Sequence, residues 1–233
     1  MNESKKIIIT HDGGFHADDV FAVAALFLYC GGKAEVVRTR DSHRFARGDF
    51  VLDVGGEYDE ARNRFDHHQP GGAGARENGI PYAAFGLVWK KYGAAIAGAT
   101  EVAARVDEKL VQPIDAHDNG VALGKYADTP PYPYTIQNAV FSFEPSWNET
   151  ARTLDAVFEE ARRFASVLLE REIAHARDTL EGERRVRAAY EAAEDKRIIV
   201  LDDKYEWSGV LIEKPEPLFV VTPDRGAAGN WRA

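Results

Sequence analysis

The sequence contains very little sulfur and none of the short motifs that mark several common enzyme classes. Cys30 is the only cysteine among 233 residues, so neither an intrachain disulfide nor a cysteine-based zinc cage can form. There is no HExxH motif of zinc peptidases, no GxSxG motif of serine hydrolases and no GxxxxGK[ST] phosphate-binding loop. The sequence therefore offers no support for zinc-peptidase, serine-hydrolase or P-loop chemistry.

Long hydrophobic runs and an excess of positive charge are also absent. The most apolar run, Val20 to Tyr29, is far shorter than the ~20 residues that a membrane-spanning helix needs. The N-terminal residues are too few and too polar for a secretory signal, so we expect a cytoplasmic protein that has no membrane partner. The net charge of −9 and a pI near 5.3 argue against binding nucleic acid through bulk positive charge. They leave open an enzyme that handles phosphates through a few local cations.

The composition and the hydrophobic pattern that are present indicate a globular α/β protein. Hydrophobic residues make up 45% of the chain and charged residues 29%, which is enough for one large domain or two small ones. The segment KKIIIT predicts a buried strand, HADDVFAVAALFLYCGG a helix, and AEVVRTR and FVLDVGG two more strands. This β-α-β order predicts a parallel sheet with helices on both faces, which binds ligands beyond the carboxyl ends of its strands.

The later part of the chain predicts helices followed by a second, small sheet. IPYAAFGLVWKKYG predicts a helix that ends at Gly93, and another helix is expected from about Thr100 to Gln112. Asn148 is the expected N-cap of a helical stretch that reaches Lys196. The segments RIIVLDD, VLIE and LFVVTP predict strands of the second sheet. We therefore expect a metal-binding catalytic domain over residues 1–145, a helical connector over 146–196 and a partial α+β domain over 197–233.

Four segments hold the candidate metal ligands, each after a strand-like run. Imidazole and carboxylate together suit Mn, Zn, Fe or Co better than Mg or Ca. Crowded carboxylates repel one another unless they are protonated or bridged by dications, and one aspartate can bridge two ions ~3.5–4 Å apart. A single aspartate here is more often a cap, and a single histidine more often a packed ring, but the joint pattern favours a metal site. The segments contain His11, His16 and Asp18 with Asp19 adjacent; Asp53; Asp66, His67 and His68; and Asp115 and Asp118.

These motifs together resemble those of a known family. The chain resembles DHH-superfamily phosphoesterases and, more closely, the melanocyte-proliferating-gene family, which is associated with 3′→5′ RNA exonuclease activity and also labelled a metal-dependent protein hydrolase. The resemblance is carried by THDGGFHADD, RTRD, DVGGEYD, FDHHQ, GLVWKKYG, DAHDNG and EPSWNE. It covers Thr10 to about Glu149 and is weaker beyond. Members of that family are longer, so we expect the second domain of this chain to be incomplete.

The resemblance implies a role for each site residue. It implies two divalent metal ions, Mn²⁺ first and Mg²⁺, Zn²⁺ or Co²⁺ as alternatives. Asp53 would bridge the ions, His68 would contact the scissile phosphate, and Asp66 would support it. Asp115 is the less favoured alternative to Asp118. The implied metal ligands are His11, His16, Asp18, Asp53, His67 and Asp118.

The sequence allows two interpretations for a pair of arginines near the site, and two for the glycine-rich stretch. Arg38 and Arg40 are alternate residues of one strand face, and either could donate to a phosphate or form a salt bridge with Asp41, Asp53 or Glu57. The glycine-rich stretch from Gly71 to Gly79 could be a mobile flap or a plain surface connection.

The expected function is that of a metal-dependent phosphodiesterase. A water activated by two metal ions would attack the phosphorus, and the expected substrate is RNA or a short oligonucleotide degraded 3′→5′. The alternatives are a small-molecule phosphatase or pyrophosphatase, and a non-catalytic metal-binding scaffold that lacks a full second domain. An uncovered second sheet would expose apolar faces and an unpaired edge, so we also expect a homo-oligomer formed through the C-terminal third.

Overall fold

The computed structural model describes residues 5–125, 129–224 and 229–233 and has two compact units. The first unit is Met1–Ile173 and the second is Ala174–Ala233, so the division falls within the longest helix. The expected three-part division at residues 145 and 196 stays a prediction. None of the described helices is both long and apolar enough to cross a membrane.

The first unit is built on a sheet of five strands. In space the strands follow the order β2-β1-β3-β5-β4, and the pairs β1–β2, β1–β3 and β3–β5 are parallel, whereas β4 is antiparallel to β5. The predicted mixed α/β fold with a mainly parallel sheet is therefore confirmed. The strands are β1 (Lys6–Thr10), β2 (Ala34–Arg38), β3 (Phe50–Leu52), β4 (Tyr58–Asp59) and β5 (Arg64–Phe65).

The first helix, α1 (Ala17–Tyr29), joins β1 to β2 as predicted and is buried from Ala17 to Leu26. Its N-terminus is fixed by the backbone N–H of His16, which donates to Oδ1 of Asp19 at 2.7 Å. This is one half of a capping box, so Asp19 sits at the start of α1 with one oxygen already engaged. A 3₁₀ helix (Ser42–Arg47) connects β2 to β3 and is capped by the side chain of Asp41.

The second helix, α2, corrects the prediction that Gly93 ends it. It spans Ala84–Ala97, and the following Gly98 has the left-handed conformation, with φ of 82°, that ends helices. Gly93 is needed for packing instead, because a Cβ at this position would lie 2.9 Å from the indole ring of Trp89. The alanine-rich residues after Gly93 favour helix, so the helix continues for another turn.

The next helical stretch also extends further than predicted. After α3 (Thr100–Val106) the chain forms a π-helical turn (Asp107–Val111) and then α4 (Gln112–Asp118). Pro113 lies in the first turn of α4, where a missing N–H costs little. Asp115 and Asp118 therefore project from a helix, and the prediction that Asp118 follows a strand is wrong.

The long connecting helix starts later than predicted. After the short α5 (Ile136–Phe141), helix α6 spans Leu154–Ala192. Asn148 is not its N-cap, because it lies well before the helix begins, and its side chain accepts a hydrogen bond from the hydroxyl of Ser146 at 2.7 Å. Thr153 takes that place, and its hydroxyl accepts from the backbone N–H of Ala156 at 3.3 Å.

The second unit has its own small core. Its sheet follows the order β6-β7-β8, with β6 parallel to β7 and β7 antiparallel to β8. The core residues are Val186, Ile199, Leu201, Val210 and Leu211. The elements are β6 (Ile198–Val200), α7 (Ser208–Leu211), β7 (Phe219–Pro223) and β8 (Trp231–Arg232).

The segment VLIE in this unit forms the end of helix α7 and the turn after it, where a strand was predicted. Val210 and Leu211 are both buried, and a strand would point two successive side chains to opposite faces. On the sheet, Ile198, Val200 and Phe219 are 45%, 56% and 55% exposed. Association of the chain through this third of its sequence stays a prediction.

Candidate metal centre

The first two histidines of the site are held by the loop between β1 and α1. This loop carries His11 and His16 and is fixed from outside by three hydrogen bonds. The N–H of Phe15 donates to Glu144 Oε1 at 3.0 Å, and the N–H of Ala17 donates to Gln137 Oε1 at 2.8 Å. Arg38 donates to the carbonyl of Gly13 at 2.6 Å. The loop is therefore held in place by three side chains from β2, α5 and the turn after α5.

One group of potential ligands forms around His11. It consists of His11, His16, Asp19 and Asp53, whose candidate ligand atoms all lie within 4.8 Å of one another. Nε2 of His11 is 3.3 Å from Asp19 Oδ2 and 3.4 Å from Asp53 Oδ2. The other ring nitrogen, Nδ1, is 3.0 Å from the carbonyl of Asp12, an acceptor that places the proton on Nδ1. His11 thus directs Nε2 at the two carboxylates, where it would be a ligand for a cation bound among them.

A second group forms on the other side of Asp53. It contains Asp18, His67 and Asp118, again with candidate ligand atoms within 4.8 Å of one another. Nε2 of His67 is 3.0 Å from Asp118 Oδ2 and 3.4 Å from Asp53 Oδ1. Asp18 also accepts hydrogen bonds from the N–H groups of Ala84 and Phe85, at 2.9 and 2.7 Å, so it fixes the start of α2.

Asp53 occupies the position between the two groups because of its backbone. It follows β3 directly and has φ of 50°, the left-handed conformation that a residue with a Cβ rarely adopts. Its N–H still donates to the carbonyl of Phe65 at 3.0 Å, so the sheet holds the residue in this conformation. Such strain is commonly found at functional sites, where it directs a side chain. Here one oxygen of Asp53 faces His11 and the other faces His67.

Three buried atoms of these groups lack a hydrogen-bond partner among the residues that the structure describes. They are Oδ2 of Asp19, Oδ1 of Asp53 and Nε2 of His67. A buried polar atom without a partner destabilises the folded state, and a buried carboxylate does so most strongly. Divalent cations held in the two groups would satisfy these atoms, since carboxylate oxygen and imidazole nitrogen are their common ligands. The residues present therefore fit a metal centre.

The electrostatics of the groups lead to the same expectation. Burial raises the pKa of Asp19 to about 7, and burial together with the Asp53 and Asp118 charges holds the pKa of Asp18 well above its usual range. Burial alone would lower the pKa of His67, but the nearby carboxylates of Asp118 and Asp53 raise it to about 11. Burial would raise the pKa of Asp53, but His11 and His67 hold it below its usual range. Without a metal, the site therefore retains protons that a cation would displace.

His68 and Asp66 form the side of the site that faces solvent. Oδ1 of Asp66 accepts from the N–H groups of His67 and His68, at 2.8 and 3.1 Å, and lies 2.7 Å from His68 Nδ1. Its Oδ2 accepts from the N–H of Gly56 at 2.6 Å. Asp66 is buried, whereas the His68 side chain is 62% exposed. Asp66 thus positions both histidines. His68 also forms a third potential ligand group with Asp53 and His67.

Asp115 has partners of a different kind. Its carboxylate accepts from Arg76 Nη1 at 2.7 Å and from the N–H of Gly86 at 3.0 Å, and it belongs to none of the ligand groups found among the described residues. Arg76 comes from the glycine-rich stretch and also pairs with Asp107 at 2.8 Å. The side chain of Arg76 is 8% exposed, so it fixes this part of the stretch against α4 and the π-helical turn.

The two candidate arginines differ sharply in their surroundings. Arg38 is buried, pairs with Asp155 at 2.8 Å and stacks on the ring of Phe158 with 4.5 Å between guanidinium carbon and ring centroid. Arg40 is 63% exposed and lies 3.5 Å from Asp12. Neither makes the salt bridges considered from the sequence, since the acidic partners are Asp155 and Asp12.

The candidate ligands named from the sequence come together in the structure, and their role as metal ligands stays a prediction, but sequence reasoning missed the part played by four other residues. Asp19 stood beside Asp18 in the same motif, and nothing in the spacing indicated that its carboxylate turns toward His11. Glu144 lies in the EPSWNE segment, which carried part of the family resemblance. Gln137 and Arg76 had no signal, because they act through contacts between segments far apart in the sequence.

The comparisons with known proteins agree in one family. The model of the uncharacterised protein family UPF0160, also called MYG1 exonuclease, matches residues 7–233. The chain is similar to the MYG1 exonuclease of Homo sapiens, at 34% identity over 65% of the chain and 46% of the relative. It is similar to the MYG1 exonuclease of Bos taurus at 34% identity over 65% and 45%. It is similar to the MYG1 protein C694.04c of Schizosaccharomyces pombe at 29% identity over 91% and 72%.

The matches cover different shares of the chain and of its relatives. The chain spans about half the length of the mammalian relatives that it matches. No solved structure matches the chain.

Proposed function

Because this chain belongs to the UPF0160 or MYG1 exonuclease family, we propose that it is a divalent-metal-dependent phosphodiesterase that shortens RNA or oligonucleotides from the 3′ end. The observation that carries the proposal is the convergence of histidine and aspartate side chains with buried, unpartnered ligand atoms. The names of the mammalian relatives support an exonuclease. The Asp66-His67-His68 motif supports a relation to DHH phosphoesterases.

Two ions would be held by two overlapping ligand sets. His11, His16, Asp19 and Asp53 would hold the first, and Asp18, Asp53, His67 and Asp118 the second. Nitrogen and oxygen ligands together favour Mn²⁺ or another transition metal over Mg²⁺. When bound, the ions would supply the positive charge that lowers the pKa of water and offsets charge on phosphoryl oxygens.

The residues around these sets would bind and orient the phosphate. His68 lies at the exposed side, and its ring is held by Asp66, so one ring nitrogen stays available to a substrate oxygen. Arg40 is exposed and close to the β1–α1 loop, where it could donate to a second phosphoryl oxygen. Arg38 is engaged with Gly13 and Asp155, and its part in this proposal is to hold the loop in position.

The net charge of −9 favours short, single-stranded substrates over long duplexes, because a long polyanion would be repelled by the rest of the surface. A small-molecule phosphatase or pyrophosphatase uses the same metal chemistry. Contact with a nucleobase would distinguish an exonuclease from these enzymes, since a pyrophosphatase needs no contact with a base.

The test is a substrate panel combined with metal titration. We expect the purified chain with Mn²⁺ to shorten end-labelled RNA oligonucleotides from the 3′ end, with little action on pyrophosphate or casein. His67→Ala and Asp53→Asn should each remove at least one bound ion in calorimetry and abolish hydrolysis while circular dichroism stays unchanged. His43→Ala, in the exposed 3₁₀ helix, is the matched control and should behave as wild type. A wild-type chain that binds no divalent ion would contradict the proposal.

A further inference from the structure

The open side of the metal centre is bordered by an aromatic ring. His16 and His68 are exposed, whereas His11, Asp18, Asp19 and Asp53 are buried. The ring of Phe141, the last residue of α5, lies 6.1 Å from the ring of His16 in an edge-to-face arrangement. Phe141 is nevertheless 45% exposed. The Phe141 ring therefore packs against a candidate ligand while nearly half of the residue stays open to solvent.

The position of Phe141 relative to the metal centre is fixed on both sides along the chain. Before it, the buried side chain of Gln137 accepts from the N–H of Ala17, and after it Glu144 accepts from the N–H of Phe15. Ala17 and Phe15 flank His16 directly. Helix α5 is itself capped by Thr135, whose hydroxyl accepts from the N–H of Asn138. An aromatic ring held in this way loses little conformational freedom when it binds a ligand.

We propose that Phe141 is the surface on which the base of the terminal nucleotide stacks while its phosphate is held at the metal centre. The inference rests on the proposed function and adds a base-binding element to it. Every nucleobase has a flat π-face, so stacking on an aromatic side chain binds bases with little sequence preference. The exposed Tyr134 and Trp147, at 73% and 94%, flank α5 in the sequence and could extend the contact along a single strand.

A base platform gives the site a preference that the metal centre alone lacks. Metal ions and His68 would bind any phosphate, including pyrophosphate and sugar phosphates. A stacked base adds affinity only for nucleotides, so Phe141 would direct the enzyme to nucleic acid without selecting a sequence. The competing explanation is that Phe141 merely shields the His16 ring from water, a role that any large apolar side chain could fill.

Calorimetry on the Mn²⁺-loaded chain separates these roles. Adenosine 5′-monophosphate and ribose 5-phosphate share the phosphate and the sugar and differ in the base. Wild type should bind the nucleotide at least about five-fold more tightly, the lower end of what one base–aromatic stack provides. Phe141→Leu should remove this difference by weakening nucleotide binding alone, and Phe141→Trp should retain it. Mn²⁺ stoichiometry should be the same in all variants.

Tyr29→Leu is the matched control. Tyr29 is also 45% exposed, and it ends the 13-residue helix α1 at the opposite end from His16, roughly 20 Å away at 1.5 Å per residue. This variant should bind both ligands as wild type does.

Each outcome decides the question. Equal binding of the two ligands by wild type, or a Phe141→Leu variant that keeps the preference, would overturn the base platform and leave the phosphodiesterase proposal standing. Loss of Mn²⁺ in Phe141→Leu would show that the ring only protects His16, and would overturn it too. Failure of wild type with Mn²⁺ to bind either phosphate would overturn both proposals.

Discussion

Nε2 of His11 lies 3.3 Å from Oδ2 of Asp19, a carboxylate oxygen that is completely buried and has no hydrogen-bond partner in the described part of the chain. The other oxygen of Asp19 caps α1 by accepting from the N–H of His16. One side chain thus fixes the helix with one atom and faces the ligand group with the other.

The first prediction concerns Asp19. In Asp19→Asn the amide oxygen can still cap α1, but the NH₂ group faces the histidine and cannot bind a cation. We expect at least about ten-fold weaker Mn²⁺ binding for one of two ions, with the second ion unaffected. Calorimetric titration measures both. Asp12→Asn, an exposed acidic neighbour whose backbone carbonyl alone contacts His11, should titrate as wild type. Wild-type binding in Asp19→Asn would remove this residue from the ligand set.

The second prediction separates the adjacent histidines. His67 is nearly buried between Asp53 and Asp118, whereas His68 is 62% exposed and held by Asp66. His68→Ala should keep both ions and lose hydrolysis by on the order of 10²-fold, the usual effect of removing one donor to a developing negative charge. His67→Ala should lose an ion. A His68→Ala variant that loses metal as His67→Ala does would show that the two roles are reversed.

The third prediction is a pH dependence of the metal-free protein. Burial raises the pKa of Asp19 from 3.8 to about 7. The nearby carboxylates of Asp118 and Asp53 outweigh the effect of burial on His67 and raise its pKa from 6.5 to about 11. Both groups hold a proton in the folded state that the unfolded chain has released. Stability from Asp19 is therefore lost as pH rises from about 4 to 7, and stability from His67 is lost from about 6.5 upward. The pKa of Asp53 is lowered, so the stability that this residue contributes is lost only as the pH falls below about 3.8.

The melting temperature after chelation should consequently fall between pH 5 and pH 9. Asp19→Asn should make the part below pH 7 less steep, since an amide does not titrate. Asp18 and Asp115, whose pKa values burial also raises, should keep the rest of the slope. Excess Mn²⁺ should reduce the fall, because the ion binds the deprotonated ligands and stabilises the folded state more at high pH. A melting temperature that rises with pH after chelation would contradict the proton-retaining site.

The fourth prediction distinguishes the two arginines. Arg38 is packed on Phe158 and bonded to Asp155 and Gly13, so Arg38→Ala should lower the free energy of unfolding by about 1–3 kcal/mol. Arg40 is exposed, so Arg40→Ala should leave stability within about 0.5 kcal/mol and reduce hydrolysis. Urea unfolding and RNA cleavage measure the two effects. If Arg40→Ala cleaves RNA as wild type does, Arg40 does not contact the phosphate.

Elements whose signal lies within a few neighbouring residues were predictable from the sequence. The β-branched run before Thr10, the apolar α1 and the following strand each have a clear period, and their order required a parallel sheet. Where a second segment decides the outcome, prediction failed. In the sequence Gly93 resembles a helix stop, but the structure shows that it leaves room for the side chain of Trp89. VLIE resembles a strand, but Val210 and Leu211 both lie in one core.

The site shows the same division. The order of histidines and aspartates indicated a metal centre because so many ligand types in sequence rarely have another explanation. The direction of each carboxylate was not predictable, since it depends on the strained backbone of Asp53 and on the cap at Asp19. Gln137 and Glu144 act through single hydrogen bonds to backbone groups more than 100 positions earlier, at separations of 120 and 129.

The last prediction concerns Gly86, which contacts Asp115 on the helix that carries the candidate ligand Asp118. Gly86 lies in the first turn of α2, where its N–H donates to Asp115. A Cβ at this position would lie 1.8 Å from Asp115 Oδ2 and 2.9 Å from Arg76 Nη2. Because Asp115 is completely buried and paired with Arg76, it cannot move away without leaving a buried charge unpaired.

Gly86→Ala should therefore destabilise the protein by about 3–5 kcal/mol, the range for a disrupted buried ion pair, and lower the melting temperature by roughly 6–20 °C. Mn²⁺ affinity should fall as well, because Asp115 and the ligand Asp118 share helix α4. Thermal unfolding and calorimetry report the two effects. Gly124→Ala is the control, since a Cβ there meets nothing within 4 Å, and it should change the melting temperature little. A Gly86→Ala variant as stable as this control would mean that α2 and α4 can separate without disturbing Asp115.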